Sequence, residues 1–136
     1  MELQVGVKAI AHNKEGKYLL LHRSTKKYKN ITGLWDIVGG RINSGVGLRE
    51  NLAREIREEI GLELTGEPRL IGAQDIFPRG GGRHVVRLTY IVELDGDPKL
   101  DKEENDDYRW VTAEELKSWP DLDMYLKEIL GKYILR

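Results

Sequence analysis

The sequence contains no cysteine among its 136 residues, and it has one phenylalanine, two methionines and four prolines. Without cysteine, disulfide frameworks, thiolate nucleophiles and Cys-ligated zinc or iron–sulfur centres are excluded. An excess of one charge is also missing, because 22 basic and 23 acidic residues give a formal net charge of -1. Proteins that coat DNA are normally strongly basic, so no nucleic acid polymer is expected as a partner.

Long apolar runs are missing as well. Runs such as residues 18–21 are far shorter than the about 20 apolar residues of a membrane helix. The N-terminal segment MELQVGVKAI lacks the basic, apolar and cleavage regions of a signal peptide. We therefore expect a cytoplasmic protein with no membrane association. The apolar content of 40% suffices for a folded core, and the length suits one domain over residues 1–136.

Six stretches have the apolar or alternating pattern of strands. The first becomes apolar on both faces, which is typical of a buried strand. A turn separates it from the second, so we expect these two to form a hairpin. The predicted strands cover residues 3–11, 17–22, 35–38, 69–77, 84–94 and 108–111, with an acidic loop at 95–107.

Helical periodicity covers residues 48–60, and Gly61 is a natural C-terminal stop. Thr112 and Glu115 match a capping box that starts a short helix. Asp121 is placed to cap a last helix. Strands interrupted by one central helix, with further helices at the end, predict an α/β (α+β) fold in which helices cover the faces of a mixed β-sheet.

The central helix carries three carboxylates within five positions. Because each residue turns about 100° around the axis, Glu55, Glu58 and Glu59 fall within an arc of about 100°. Such close like charges repel one another, and a hard divalent cation relieves the repulsion. With no cysteine or clustered histidine, Mg²⁺ or Mn²⁺ is favoured over Zn²⁺. The alternative is a solvated acidic face with ordinary ion pairs, such as that of Arg54 with Glu58.

Residues 40–62 resemble the Nudix box, G-x5-E-x7-R-E-U-x-E-E-x-G-U, where U is aliphatic. After Gly40, the nine residues of the second half, 54–62, match at every specified position. The chain is therefore similar to the Nudix hydrolase family (MutT-like), whose fold is an α/β/α sandwich around a mixed sheet. The first Glu of the box is replaced by Val46, which cannot bind metal or accept a hydrogen bond through its side chain. We expect weakened or altered catalysis from this departure.

The resemblance implies Mg²⁺-dependent hydrolysis of a pyrophosphate linkage in a nucleoside diphosphate linked to another group. It implies Glu58, Glu59 and the Gly40 carbonyl as metal ligands, and Glu55 as a further ligand or the base. Arg54 would orient Glu55 through a charge-assisted hydrogen bond. The alternative is a nucleotide- or metabolite-binding module on the same fold. A diphosphate isomerase has little support in a chain without cysteine.

Other residues are candidates for the base and for substrate binding. In the acidic loop, Glu104 is preferred to its neighbour as base or extra ligand, and a solvated loop is an equal alternative. A phosphate-rich substrate needs cationic side chains. Trp35 could stack on a base, although a core position is the simpler alternative. The predicted substrate-binding residues are Arg23, Arg41, Trp35 and Arg83. The resemblance also makes a homodimer possible.

Overall fold

The computed structural model describes residues 1–133 and 135 of the chain. Within that part the strands are β1 (Glu2–His12), β2 (Tyr18–Arg23), β3 (Trp35–Asp36), β4 (Val38–Arg41), β5 (Arg69–Ile76), β6 (Arg83–Glu93) and β7 (Asn105–Val111). The helices there are α1 (Leu48–Ile60), α2 (Ala113–Ser118) and α3 (Met124–Lys132). None of these helices is both long and apolar enough to cross a membrane.

The sheet is mixed, as predicted. β1 runs parallel to β6 along its whole length and antiparallel to β4. β2 pairs antiparallel with β7 and β3, and β5 lies outside β6. The predicted hairpin is minimal, because β1 and β2 pair only at His12 and Tyr18. The long partner of β1 is a strand more than seventy residues away in sequence, which a local pattern does not identify.

Two apolar clusters lie on opposite faces of the sheet. Because successive side chains of β1 point to opposite faces, Val7 and Ala9 lie in the cluster that contains Leu52 and Ile56 of α1. Ile10 belongs to the other cluster, which α2 and α3 cover. The predicted burial of the first strand on both faces is confirmed, and so is the α/β/α arrangement.

The helix ends follow local rules. The central helix has the predicted bounds, and Gly61 caps it with a φ of 66°. In the capping box of α2, the Glu115 amide donates to Thr112 Oγ1 at 3.1 Å and the Thr112 amide donates to Glu115 Oε1 at 2.9 Å. The predicted cap of α3 is wrong: Asp123 accepts from the first-turn amides, whereas Asp121 accepts from Gly33. Asp123 directly precedes Met124, the first residue of α3, whereas Asp121 lies two residues further from the helix.

Two predicted strand bounds also need correction. The stretch 35–38 is not one strand, because Ile37 separates β3, which pairs with β2, from β4, which pairs with β1. The acidic loop is shorter than predicted, since β7 already begins at Asn105. The polar start of β7 pairs with the end of β2 and gives no apolar signal in the sequence.

Candidate active site

A cavity of about 550 Å³ lies against one end of the sheet. α1 supplies one wall, and the strands and the start of α3 supply the others. Its charged lining residues fall into an acidic group on and beside α1 and an opposite group in which cations on the strands lie with Asp36 and Asp123. These residues are Glu55, Glu58, Glu59, Asp101, Glu104, Asp36 and Asp123, together with Lys8, Arg23, Arg41 and Arg87.

Arg54 holds the carboxylates of α1 in place. Its Nη1 donates to Glu55 Oε1 at 2.8 Å and to Glu58 Oε2 at 3.3 Å. Its Nη2 donates to the Arg41 carbonyl at 3.2 Å, which joins α1 to the end of β4. The charge-assisted contact between Arg54 and Glu55 expected from the box is therefore present. The catalytic roles of these residues stay predictions.

The Glu55 carboxylate lies directly on the backbone of Gly40. A Cβ added to Gly40 would stand 2.5 Å from Glu55 Oε2. Its neighbour Gly39 has a φ of 146°, and a Cβ there would overlap the Val7 carbonyl. Gly40 thus lets β4 approach the acidic helix closely, and Gly39 lets it approach β1, which side chains would prevent.

This close approach predicts a large effect for one methyl group. We expect Gly40→Ala to displace the Glu55 carboxylate and to lower kcat/KM by about 100-fold, the cost of a 1 Å misplacement in an active site. Gly66→Ala is the matched control, because a Cβ at Gly66 meets open space. Steady-state kinetics on both variants, with their melting temperatures, make the comparison. Equal activities would show that Gly40 has no role in the site.

Like Glu55, and unlike the exposed Glu58, Glu59 is partly buried. Burial raises its pKa to about 8, with Glu55 and Glu104 adding to the shift and Lys8 opposing it. A hydrogen bond with the Glu55 carboxyl contributes as well. Asn105 Nδ2 lies 3.4 Å from Glu59 Oε1. A cation bound between these carboxylates would relieve the same repulsion.

The donor set fits a hard divalent cation. Three carboxylates and the Gly40 carbonyl offer oxygen atoms only, which suits Mg²⁺ or Mn²⁺. Within the described residues, no three His, Asp or Glu side chains are already grouped as metal ligands. Metal binding by all three would therefore need side-chain movement, and Glu58, which is 59% exposed, can turn by giving up its 3.3 Å contact with Arg54.

Glu104 lines the same cavity but is engaged by other residues. Tyr28 donates its hydroxyl to Glu104 Oε2 at 2.8 Å, and Lys27 forms an ion pair with the other oxygen. Burial raises the Glu104 pKa, but these two hydrogen bonds outweigh burial and lower it below its ordinary value. Glu104 is thus held as an ionised carboxylate.

A buried ion cluster on the opposite wall was missed by the sequence analysis. Arg87 contacts Asp36 Oδ1 and Asp123 Oδ2, each at 3.1 Å, and Arg23 contacts Asp36 Oδ2 at 2.6 Å. Lys8 Nζ lies 3.4 Å from Asp36. Burial alone would raise the Asp36 pKa, but Arg87, Lys8 and Arg23 together hold it well below its usual range. The available signal was a charged residue inside an apolar strand, as at Lys8 and Arg87.

The four predicted substrate-binding residues differ in position. Arg23 and Arg41 line the cavity. Trp35 and Arg83 are not among its described lining residues. Trp35 instead packs edge-on against Trp119, with ring centroids 5.5 Å apart, in the cluster beneath α2 and α3. This is the core position that the sequence analysis gave as its alternative.

The geometry is that of an α+β protein in which a mixed sheet lies between helices and a cavity beside the acidic helix is lined by both carboxylates and cations. A comparison with family profiles then matches residues 2–130 to the NUDIX domain. The chain belongs to this family. The predicted Nudix, MutT-like hydrolase class and its fold are confirmed.

Known proteins similar to the chain include nucleotide hydrolases. Nucleoside triphosphatase NudI of Escherichia coli O139:H28 is 31% identical over 125 residues, covering 85% of this chain and 86% of that protein. CTP pyrophosphohydrolase of E. coli K12 is 36% identical over 61 residues, but the match spans only 45% of this chain and 44% of that protein.

Solved structures share the fold over almost the whole chain. A MutT NUDIX hydrolase from Burkholderia pseudomallei has a TM-score of 0.82 at 23% identity, covering 98% of this chain and 100% of the other. A MutT protein from Methanosarcina mazei Go1 has a TM-score of 0.80 at 27% identity, covering 96% and 92%. The first of these likenesses concerns the fold alone.

Proposed function

We propose that the protein is a Mg²⁺-dependent pyrophosphohydrolase, with Mn²⁺ as a possible substitute, that acts on a nucleotide-type substrate. The bond broken is a phosphoanhydride in a nucleoside diphosphate linked to another group. One observation carries the proposal: a single cavity places the carboxylates of α1 opposite the cations of the strands. This arrangement suits a metal on one wall and a polyphosphate beside it.

The metal would be held by Glu58, Glu59 and the Gly40 carbonyl, with Glu55 as a further ligand or the base. When bound, the metal neutralises charge on phosphate oxygens and increases the acidity of water. Phosphoryl transfer needs positioning and positive charge more than it needs a covalent nucleophile, and the described residues offer both. Arg54 fixes Glu55 for this purpose through the 2.8 Å contact.

Cations on the strands would bind the phosphate groups. Burial lowers the pKa of Arg41, and the nearby guanidinium groups of Arg83 and Arg87 lower it further. A bound polyanion relieves this crowding of like charges. Arg23 is 25% exposed and can add a contact, whereas Arg87 is 5% exposed and serves the ion cluster. Lys8 is also positioned to contact phosphate, because it lines the cavity between Asp36 and Glu59.

Two residues compete for the role of general base. Tyr28 and Lys27 occupy the Glu104 carboxylate and lower its pKa, which weakens it as a proton acceptor. Glu55 has one carboxylate oxygen on Arg54 and faces Gly40 with the other. The geometry therefore favours Glu55 as the base and Glu104 as a fixed negative charge.

A substrate panel tests the proposed function. Nucleoside triphosphates, with CTP included because of the similar proteins, are incubated with Mg²⁺ or Mn²⁺, followed by nucleotide sugars and dinucleoside polyphosphates. We expect metal-stimulated release of phosphate-containing products from at least one substrate class. The binding-module alternative predicts ligand-induced thermal stabilisation without turnover across the panel, and that result would overturn the enzyme proposal.

The replacement at position 46 makes a separate prediction. Val46 is 45% exposed, and its carbonyl accepts a hydrogen bond from Asn51 at 2.9 Å, so the loop is held without a carboxylate there. We expect Val46→Glu to change kcat/KM by less than about threefold, since substitutions at such exposed positions have small effects. A gain above tenfold, measured on the best substrate of the panel, would show that the missing carboxylate limits catalysis.

A further inference from the structure

Asn51 is a fully buried amide on the first turns of α1, with an exposed fraction of 0%. Its Oδ1 accepts hydrogen bonds from the Asn43 amide at 2.8 Å and from Arg54 Nη2 at 3.0 Å. Its Nδ2 donates to the carbonyls of Val46 at 2.9 Å and Gly47 at 2.8 Å. Both protons and both lone pairs of the amide are used, so the side chain has one defined orientation.

These bonds connect the loop 43–47 to the guanidinium of Arg54. Asn51 holds one edge of that guanidinium, and Glu55 Oε1 lies 2.8 Å from its other nitrogen. The second oxygen of Glu55 lies against Gly40. Asn51 therefore acts on the acidic centre through Arg54, without facing the cavity as one of its lining residues.

The loop has few other fixed points toward the helix. The N-cap residue of α1 is Gly47, which makes no side-chain capping hydrogen bond. The Val46 side chain is 45% exposed and offers no polar atom. The family motif has a carboxylate at this position, and here the buried amide of Asn51, five residues later in the first turn of α1, connects the loop with Arg54.

We propose that Asn51 is a positioning residue that offsets the absence of a carboxylate at position 46. It fixes the loop 43–47 and Arg54 so that the Glu55 carboxylate faces Gly40. The catalytic consequence rests on the proposed hydrolase function, whereas the effect on the loop and on metal affinity does not depend on turnover.

Two variants and one control test this role. Asn51→Ala removes all four hydrogen bonds. Asn51→Asp keeps the acceptor for Asn43 and Arg54 but loses both donors to the loop carbonyls. Thr112→Ala is the control, because it removes the cap of α2 and lowers stability away from the cavity. The measurements are Mn²⁺ affinity by electron paramagnetic resonance, amide hydrogen exchange of residues 43–47, and kcat and KM.

For Asn51→Ala we expect faster exchange in the loop, Mn²⁺ binding weakened by about 10–100-fold and a similar fall in kcat with little change in KM. Asn51→Asp should lie between this variant and the wild type, weakening Mn²⁺ binding by about 3–10-fold, since the Arg54 contact remains. Thr112→Ala should leave Mn²⁺ affinity and kcat unchanged.

The inference is overturned if Asn51→Ala binds Mn²⁺ and turns over as well as Thr112→Ala does. If the alanine variant does not fold, wild-type Mn²⁺ affinity in Asn51→Asp overturns it instead. If the wild type hydrolyses no nucleotide, the proposed function fails, and Mn²⁺ affinity and hydrogen exchange still decide the role of Asn51.

Discussion

We expect Arg87→Met to lower the free energy of unfolding by about 3–5 kcal/mol, the cost of removing one partner from a buried ion pair. The side chains of Arg87 and Asp36 are only 5% and 4% exposed. Methionine keeps much of the volume but leaves Asp36 with Lys8 and Arg23 alone, and it frees the Oδ2 atom of Asp123 from an ion pair. Urea denaturation at pH 7 measures the loss.

Arg109→Met is the matched control. Arg109 also pairs with an aspartate, Asp107, at 2.6 Å, but the two side chains are 54% and 42% exposed. Exposed pairs contribute about 0–1 kcal/mol, so the control should unfold almost as the wild type does. Equal losses in the two variants would contradict the structural importance of the buried cluster.

The effect of Arg87→Met should also depend on pH. The folded-state pKa of Asp36 is depressed, so its ionised form stabilises the protein above the unfolded-state pKa of 3.8. That contribution is lost as the pH falls through the folded-state pKa. In Arg87→Met the ionised Asp36 contributes less stability, so less is lost at low pH. The difference in the free energy of unfolding between wild type and Arg87→Met should therefore narrow below about pH 4.

Glu59→Gln should have opposite effects on activity and on stability. The variant removes a proposed metal ligand, and we expect metal-stimulated turnover to fall by about 100-fold or more. The folded-state pKa of Glu59 is about 8, compared with 4.5 in the unfolded chain. Its ionisation therefore destabilises the metal-free protein progressively as the pH rises from 4.5 to about 8.

The neutral amide avoids this cost of ionisation. At pH 9 without metal, we expect Glu59→Gln to be more stable than the wild type by about 1–2 kcal/mol. Glu58→Gln is the control. Because the Glu58 side chain is 59% exposed, this substitution should leave metal-free stability unchanged. Thermal unfolding of all three proteins between pH 5 and pH 9, roughly spanning the titration, measures the effect. A wild type that is as stable as Glu59→Gln at pH 9 would contradict the burial of this carboxylate.

Features that depend on neighbouring residues could be predicted from the sequence. The central helix, the Gly61 cap and the Thr112 capping box are confirmed because each depends on residues within a few positions. The arc of carboxylates on α1 follows from helical geometry alone, and the cavity lies where that arc faces. The last helix cap was placed two residues early because Asp121 and Asp123 are equally good caps by sequence.

The opposite wall of the cavity could not be predicted in the same way. Arg87, Asp36 and Asp123 lie on three elements that meet only after the sheet forms. The β1–β6 pairing, which aligns Gly6 with Arg87, is non-local as well. The near-zero net charge likewise gave no sign that acids and cations face each other across one cavity.

The most direct test is nucleotide hydrolysis by the wild type and by Glu58→Gln, each with and without Mg²⁺, on the best substrate of the panel. Glu58 is largely exposed, so its variant should fold normally and report on chemistry alone. The account predicts turnover that requires the metal in the wild type and falls by about 100-fold or more in the variant. Equal rates in the two proteins, or a wild-type rate that is the same without metal, would contradict it.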